Sequence, residues 1–223
     1  MHNRNLCIPF VVTSTVALVF ALGVHNVNAF RNKHNIDNLP YDLKHTKEFV
    51  GVWRLRRVTS DTDGPPIVYP PPTVIDFGIN PIPRFGARTL NMSMQYNDAN
   101  GELYRSDYGY LLVRNATKRS PQWRCGFLTT SSSGFSLMEE CVVFPKKAGR
   151  GPRISTAFYK FISRASVPMS PTSESITSSA QFRVRQMSRD LRYKGRNRME
   201  MDVDIMTSIG DDKYTAEYSR ANR

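Results

Sequence analysis

The chain is predicted to be all-β, folding as a closed antiparallel up-and-down barrel of about ten strands. From Glu48 onward, short alternating segments follow one another, punctuated by turn residues, with no long helical period. That series is headed by Lys47-Glu48-Phe49-Val50-Gly51-Val52-Trp53-Arg54-Leu55. A large indole can plug a barrel floor, and a residue without a Cβ lets a neighbour pack close beside it. Closure also removes the open edges that so many short strands would expose.

The barrel is assigned to residues 47–223. Phe49, Gly51, Trp53 and Leu55 alternate with Val50, Val52 and Arg54 in the opening strand. Five prolines between Asp61 and Pro72 exclude a central strand, so this stretch reads as a stiff crossing over the barrel mouth. Residues 74–78 form a short strand, and Asn80-Pro81-Ile82-Pro83 a turn. In 89–96, Leu90, Met92, Met94 and Tyr96 share one face. After a turn at 97–101, Tyr104, Tyr108, Tyr110 and Leu112 share the next apolar face. Residues 123–127 and 135–144 form a hairpin about Ser131-Ser132-Ser133-Gly134. Residues 145–152 are a basic loop, 155–162 a strand apolar on both faces, and 166–175 another loop. Residues 176–193 are long for one strand and are expected to bulge near Met187-Ser188. Lys194-Gly195-Arg196-Asn197 is a tight turn, after which Met199, Met201, Val203 and Ile205 alternate with Glu200, Asp202 and Asp204. The last strand covers 214–220.

Upstream, residues 1–29 read as a secretory signal. Met1-His2-Asn3-Arg4-Asn5 is a short positive region, 6–24 is apolar, and Val27-Asn28-Ala29 fits cleavage after Ala29. Cleavage leaves no membrane span and makes the protein extracellular. Residues 30–46 are polar, contain Pro40 and show no periodic apolar face, so they read as a flexible mature N-terminus. Cys7 leaves with the signal. Cys125 and Cys141 are equidistant from Ser133, so a hairpin turning there sets them opposite one another for a disulfide, which an oxidising compartment preserves. Asn91-Met92-Ser93 and Asn115-Ala116-Thr117 are glycosylation sequons.

Several chemistries are excluded. All four histidines (His2, His25, His34 and His45) precede Trp53, so the barrel can assemble neither a Ser-His-Asp or Cys-His nucleophile nor a histidine zinc site. Glu139 and Glu140 occupy adjacent strand positions and point to opposite faces. No residue set argues for catalysis, and no metal site is expected. Lys and Arg number 31 against 19 acidic residues, a net charge of +12. The run Arg183, Arg185, Arg189, Arg192, Lys194, Arg196, Arg198 reads in one of two ways. It is a patch for an acidic extracellular polysaccharide, secretion excluding nucleic acid, or it is a solvated outer wall with Val184 inward and Arg183 and Arg185 outward.

A family resemblance is carried by five pieces in shared order and spacing. They are Gly51-x-Trp53-Arg54; Tyr69-Pro70; Gly101-Glu102-Leu103-Tyr104-Arg105-Ser106-Asp107-Tyr108-Gly109-Tyr110; Asp190-Leu191-Arg192-Tyr193-x-Gly195 leading to Met199-x-Met201-Asp202-Val203-Asp204; and Tyr214-Thr215-Ala216-Glu217-Tyr218. Through them residues 48–223 resemble the nitrobindin family, relatives of the lipocalin and fatty-acid-binding barrels. The resemblance implies a ten-stranded barrel with a buried pocket, ferric haem held by a histidine at the start of the last strand, and nitric oxide or peroxynitrite handling. Here that position falls at Asp212-Lys213-Tyr214, without a histidine. Lys213 and Tyr214 are the haem-side candidates for haem b, since tyrosine ligates iron elsewhere. The family's glycine-rich run is replaced by Leu55-Arg56-Arg57 and the proline loop. Distantly related barrels stack a basic last-strand residue over the tryptophan, which makes Gly51, Trp53 and Arg220 the floor.

Three functions stay open. The chain is a non-enzymatic carrier whose pocket, lined by Met92, Met94, Tyr108, Tyr110, Met199, Met201 and Val203, holds a small apolar molecule; or a haem protein with altered or no axial ligation; or an extracellular module with a filled core that binds polyanions through its basic face.

Overall fold

A computed structural model of the protein describes residues 33–60, 67–79, 89–163 and 183–221. The signal-like segment 1–29, the turn at 80–83 and the loop at 166–175 lie outside the described residues. Ten antiparallel strands close into one barrel: β1 (Gly51–Ser60), β2 (Val74–Ile79), β3 (Thr89–Asn97), β4 (Leu103–Arg114), β5 (Trp123–Ser131), β6 (Phe135–Phe144), β7 (Arg153–Ser163), β8 (Val184–Gly195), β9 (Arg198–Thr207) and β10 (Asp211–Arg220). Each strand pairs with its chain neighbours, and β1 closes the circle between β2 and β10. The sheet therefore has no free edge, the outcome that the run of short alternating segments requires.

The end of the barrel at Trp53 is sealed by interlocking groups. Gly51 adopts φ +132°, and a Cβ there would lie 2.6 Å from Nη1 of Arg220. That guanidinium sits 4.4 Å from the centre of the Trp53 ring. It donates to the carbonyls of Glu48 (2.5 Å) and Val50, while Trp53 Nε1 donates to the Phe49 carbonyl at 2.7 Å. A cation over an indole contributes about 0.5–2 kcal/mol. Gly51→Ala combines a backbone conformation hostile to L side chains with displacement of Arg220, so it is expected to cost about 1–3 kcal/mol. A thermal melt indistinguishable from the parent protein would show that the floor does not depend on this contact.

Residues 33–46 depart from the flexible segment read in the sequence. They form two 3-10 helices, Ile36–Asn38 and Tyr41–Thr46, the first capped by the Asn35 side chain on the Asp37 amide. Leu43 and Thr46 are fully buried, and the second helix packs against β4 and β6 beneath the floor. Lys33 and His34 both bond the Asp76 carboxylate at 2.6 Å and tie the segment to β2. Burial raises the Asp76 pKa, but His34 and Lys33 outweigh it and hold it below the usual carboxylate range. The sequence hides this because one leucine and a few polar contacts suffice, and these set up no period.

At the opposite end, residues 67–73 form a strap across the mouth, the place the prolines assign to it. Asp212 accepts from the backbone N–H groups of Val68 (3.1 Å) and Tyr69 (2.6 Å). Tyr214 and Tyr218 donate their hydroxyls to the carbonyls of Tyr69 (3.0 Å) and Pro72 (3.1 Å). Tyr69 itself is buried. Both ends of the barrel are thus covered by chain segments outside the strands.

Candidate functional site

The barrel interior holds a polar network. On β4, Arg105, Asp107, Gly109 and Leu111 face inward, while Tyr108 (64% exposed) and Tyr110 (48%) face outward. This corrects the expectation that the two tyrosines line a pocket. The sequence gives β4 two plausible inner faces, and the tyrosine-rich one loses because the other neutralises itself. Arg105 Nε lies 3.3 Å from Asp107, its guanidinium stacks 3.4 Å from the centre of the Tyr96 ring, and the Tyr96 hydroxyl donates to Asp107 at 2.9 Å. Burial alone depresses the Arg105 pKa, but Tyr96, Tyr69 and Asp107 raise it above its ordinary value, so the cation persists.

A second buried arginine comes from β8. The pairing of β8 with β9 shifts between Val184 and Gln186, a bulge slightly before the expected Met187-Ser188. Val184 is buried and Arg183 and Arg185 are exposed; beyond the bulge the parity changes, and Met187, Arg189 and Leu191 point inward. Arg189, assigned by its sequence to the basic run, is therefore 3% exposed inside the barrel. Its Nε and Nη2 donate to the two oxygens of Glu139, which also accepts from Thr156 Oγ1 at 2.6 Å. The Arg189 backbone N–H donates in turn to Thr156 Oγ1 at 3.0 Å.

The remaining residues assigned to the pocket do face inward, but onto other side chains. A cavity large enough for a ligand would leave its wall accessible. Met92, Met94, Met199, Met201 and Val203 are 0–3% accessible. Among the described residues these groups line a packed core, not a space. The buried arginines carry two positive charges and Asp107 and Glu139 two negative ones, so this core also needs no anion.

The position at which the resemblance would place a haem ligand does not fit iron. Asp212 is committed to the strap, and Lys213 is exposed on the outer wall. Tyr214 is buried with its hydroxyl proton on the Tyr69 carbonyl, and burial pushes its pKa well above the usual tyrosine range. A phenolate ligand would have to break that bond and ionise in a dry interior. The two described histidines serve elsewhere: His34 bonds Asp76, and His45 lies edge-on to Trp123 with ring centres 4.5 Å apart.

Cys125 and Cys141 are joined by a disulfide as a facing pair on β5 and β6, with Cα atoms 4.7 Å apart. Of the sequons, Asn91 lies within β3, half-buried. Asn115 lies in the segment after β4 and donates from Nδ2 to Asp42.

The outside carries the concentrated charge. A hollow of about 680 Å³ opens at the Trp53 end, between the 145–152 loop and the end of β8. Its cations are Lys146, Lys147, Arg150, Arg153, Arg192 and Lys194, and no carboxylate is in its wall. Arg153, Arg192 and Lys194 are paired with Asp190, Asp202 and Glu200, which lie outside the hollow's wall. Lys146, Lys147 and Arg150 are exposed, with no ion pair among the described residues. The loop is a small hairpin in which the backbones of Lys147 and Arg150 bond each other at 3.1 and 3.0 Å, with Gly149 at φ +76°. Like charges set directly opposite each other repel. Gly151 closes the hollow's floor: a Cβ there would lie 2.0 Å from the Tyr193 carbonyl oxygen. A larger hollow, about 790 Å³, lies on the outer wall of β4 to β7 around Gly126 and Ala157, but there Arg114 and Arg124 stand beside Glu140.

The fold and its ends define a closed ten-stranded antiparallel barrel, with a packed interior among the described residues. Its shape is similar to that of the solved structure of Rv2717c from M. tuberculosis, with a TM-score of 0.51 and 16% sequence identity, over 83% of this chain and 100% of that one. At that identity the likeness speaks for the fold alone. No protein-family model matches the sequence, and no curated protein matches it.

Proposed function

We propose that this protein is a non-enzymatic, extracellular binding module that engages polyanions through the basic hollow at the Trp53 end of its barrel. The observation that carries this reading is the hollow's wall: six cations, no carboxylate, and a hairpin that holds Lys147 and Arg150 face to face. Arg153, Arg192 and Lys194 are paired with carboxylates outside the hollow, but Lys146, Lys147 and Arg150 have no ion pair among the described residues and repel one another until an anion neutralises them. The signal-like 1–29 segment and the disulfide favour an extracellular setting, where acidic polysaccharides are the abundant polyanions.

The test is retention on a sulfated polysaccharide as salt is raised. The parent protein is expected to stay bound well above physiological ionic strength, where exposed charges are already screened over about 8 Å. Lys146→Ser/Lys147→Ser/Arg150→Ser is expected to weaken binding at least about tenfold and to flatten its salt dependence by roughly two to three counterions. All three residues are exposed and none supports the core, so the melting temperature should hold. Elution of the parent protein below physiological salt, or an unaffected triple variant, would overturn the proposal.

The carrier reading has less support, because Met92, Met94, Met199 and Met201 would have to part to admit a ligand. Organic extraction of natively purified protein, followed by mass spectrometry, tests it directly: a stoichiometric lipid would restore that reading. The haem reading is supported by the fold alone and opposed by the commitments of Asp212 and Tyr214.

A further inference from the structure

The basic hollow does not end at its own rim. Strand register places a row of outward positions at one level across four neighbouring strands: Arg54 on β1 pairs with Ser219 on β10, Ser219 with Arg198 on β9, and Arg198 with Gly195 on β8. Arg54 and Arg198 are exposed and have no ion pair among the described residues. Gly195 is already part of the hollow's wall, which continues across β7 to the loop after β6. The row thus carries a cation on β1 and on β9, no carboxylate, and meets the cations of the hollow at Gly195, so that a basic band runs along the rim from β1 to the loop after β6. Five inter-strand steps of about 4.8 Å make a band about 24 Å long.

The turn between β8 and β9 points the same way. Arg196 and Asn197 both take left-handed conformations, φ +47° and +58°, in a two-residue hairpin turn. Asparagine and glycine suit the first of these positions, and an arginine there is conformationally disfavoured. Arg196 is exposed, makes no ion pair among the described residues, and stands between the hollow and the Arg54–Arg198 row.

We propose that the site takes an extended sulfated or carboxylated polysaccharide, laid around the rim from the Lys146 loop past Arg196 and Arg198 to Arg54, rather than an isolated anionic group. This rests on the polyanion reading above. A single sulfate or phosphate needs only the hollow, and nothing in the hollow explains two further bare arginines in register. A single-stranded nucleic acid is the less fitting polymer, because stacking platforms are what such ligands use. The aromatics of the band are engaged: Phe144 lies under Arg153, 5.1 Å from its guanidinium, and Tyr193 stands edge-on to Trp53 at 6.2 Å.

The experiment compares affinities for a heparin-derived tetrasaccharide, shorter than the band, and a dodecasaccharide that exceeds it. The dodecasaccharide is expected to bind the parent protein at least about tenfold more tightly. Arg54→Ser/Arg198→Ser should remove most of that advantage and leave tetrasaccharide binding unchanged. Arg196→Asn should weaken dodecasaccharide binding and raise the melting temperature, a combination that a merely structural arginine would not give. If the Arg54/Arg198 variant binds the dodecasaccharide normally while the Lys146/Lys147/Arg150 variant does not, the band is wrong and the hollow stands alone. If neither variant changes binding, the polyanion reading itself falls. Tighter binding of single-stranded DNA than of the dodecasaccharide at equal salt would overturn the choice of polymer.

Discussion

Glu139→Ala is expected to lower the unfolding free energy by about 3–5 kcal/mol. Glu139 contributes the only carboxylate bonded to Arg189 among the described residues, and the side chains of the pair are 0% and 3% accessible. Arg189 cannot escape by losing its proton. In the parent protein burial lowers its pKa and Glu139 more than restores it; in the variant the guanidinium still keeps its proton, because an arginine side chain is not deprotonated in proteins. Without Glu139 the cation stays charged in a low-dielectric interior, with Phe127 as a partial partner, the guanidinium 4.5 Å from its ring. Removing both charges has the opposite logic. Glu139→Leu with Arg189→Met deletes the desolvation cost along with the attraction, and such replacements often come out near neutral. Urea denaturation followed by circular dichroism separates the cases. A single variant losing under about 1 kcal/mol would show that water reaches the pair, and hence that the interior is not packed as described.

The same pair marks where sequence reasoning about this barrel stops. The fold was legible because closure follows from many short strands with turn residues between them, and because Gly51 and Trp53 head the series. The face of β3 was legible because Leu90, Met92, Met94 and Tyr96 stand opposite polar residues only. On β4 two faces compete, and a period of two cannot say which is inside when Arg105 and Asp107 are the charged members of one face and cancel each other. On β8 the deciding feature is the extra residue at Arg185-Gln186, which carries no glycine or proline to announce it and sends Arg189 inward. The basic run on β8 and β9 was legible as a candidate polyanion patch, but not where on the barrel it gathers. Its outward members become a site only through loop 145–152, brought alongside Tyr193 by folding. The inward arginine was thus overcounted as surface charge, while the basic loop 145–152 and Arg54, distant in sequence from the run, were not joined to it.

Loss of the Cys125–Cys141 bridge is expected to cost about 3 kcal/mol, the value for a closed loop of about this length. The two residues are separated by 16 positions and face each other across the β5–β6 hairpin, in a ladder that pairs from Trp123 with Val143 to Thr130 with Ser136. That ladder sets the native geometry whether or not the sulfurs are joined, so the bridge acts chiefly by restricting the unfolded chain. Both side chains are in the core, which makes Cys125→Ala/Cys141→Ala a better probe than serine, whose hydroxyls would be stranded there. The double variant should melt several degrees lower yet keep the parent far-ultraviolet spectrum. Its retention on sulfated polysaccharide should also be unchanged, since the 145–152 loop follows the end of β6 and is held by its own backbone bonds. Reduction of the parent protein should reproduce the lower melting temperature. A double variant as stable as the parent would mean that the hairpin persists in the unfolded ensemble and that the cross-link restricts nothing further.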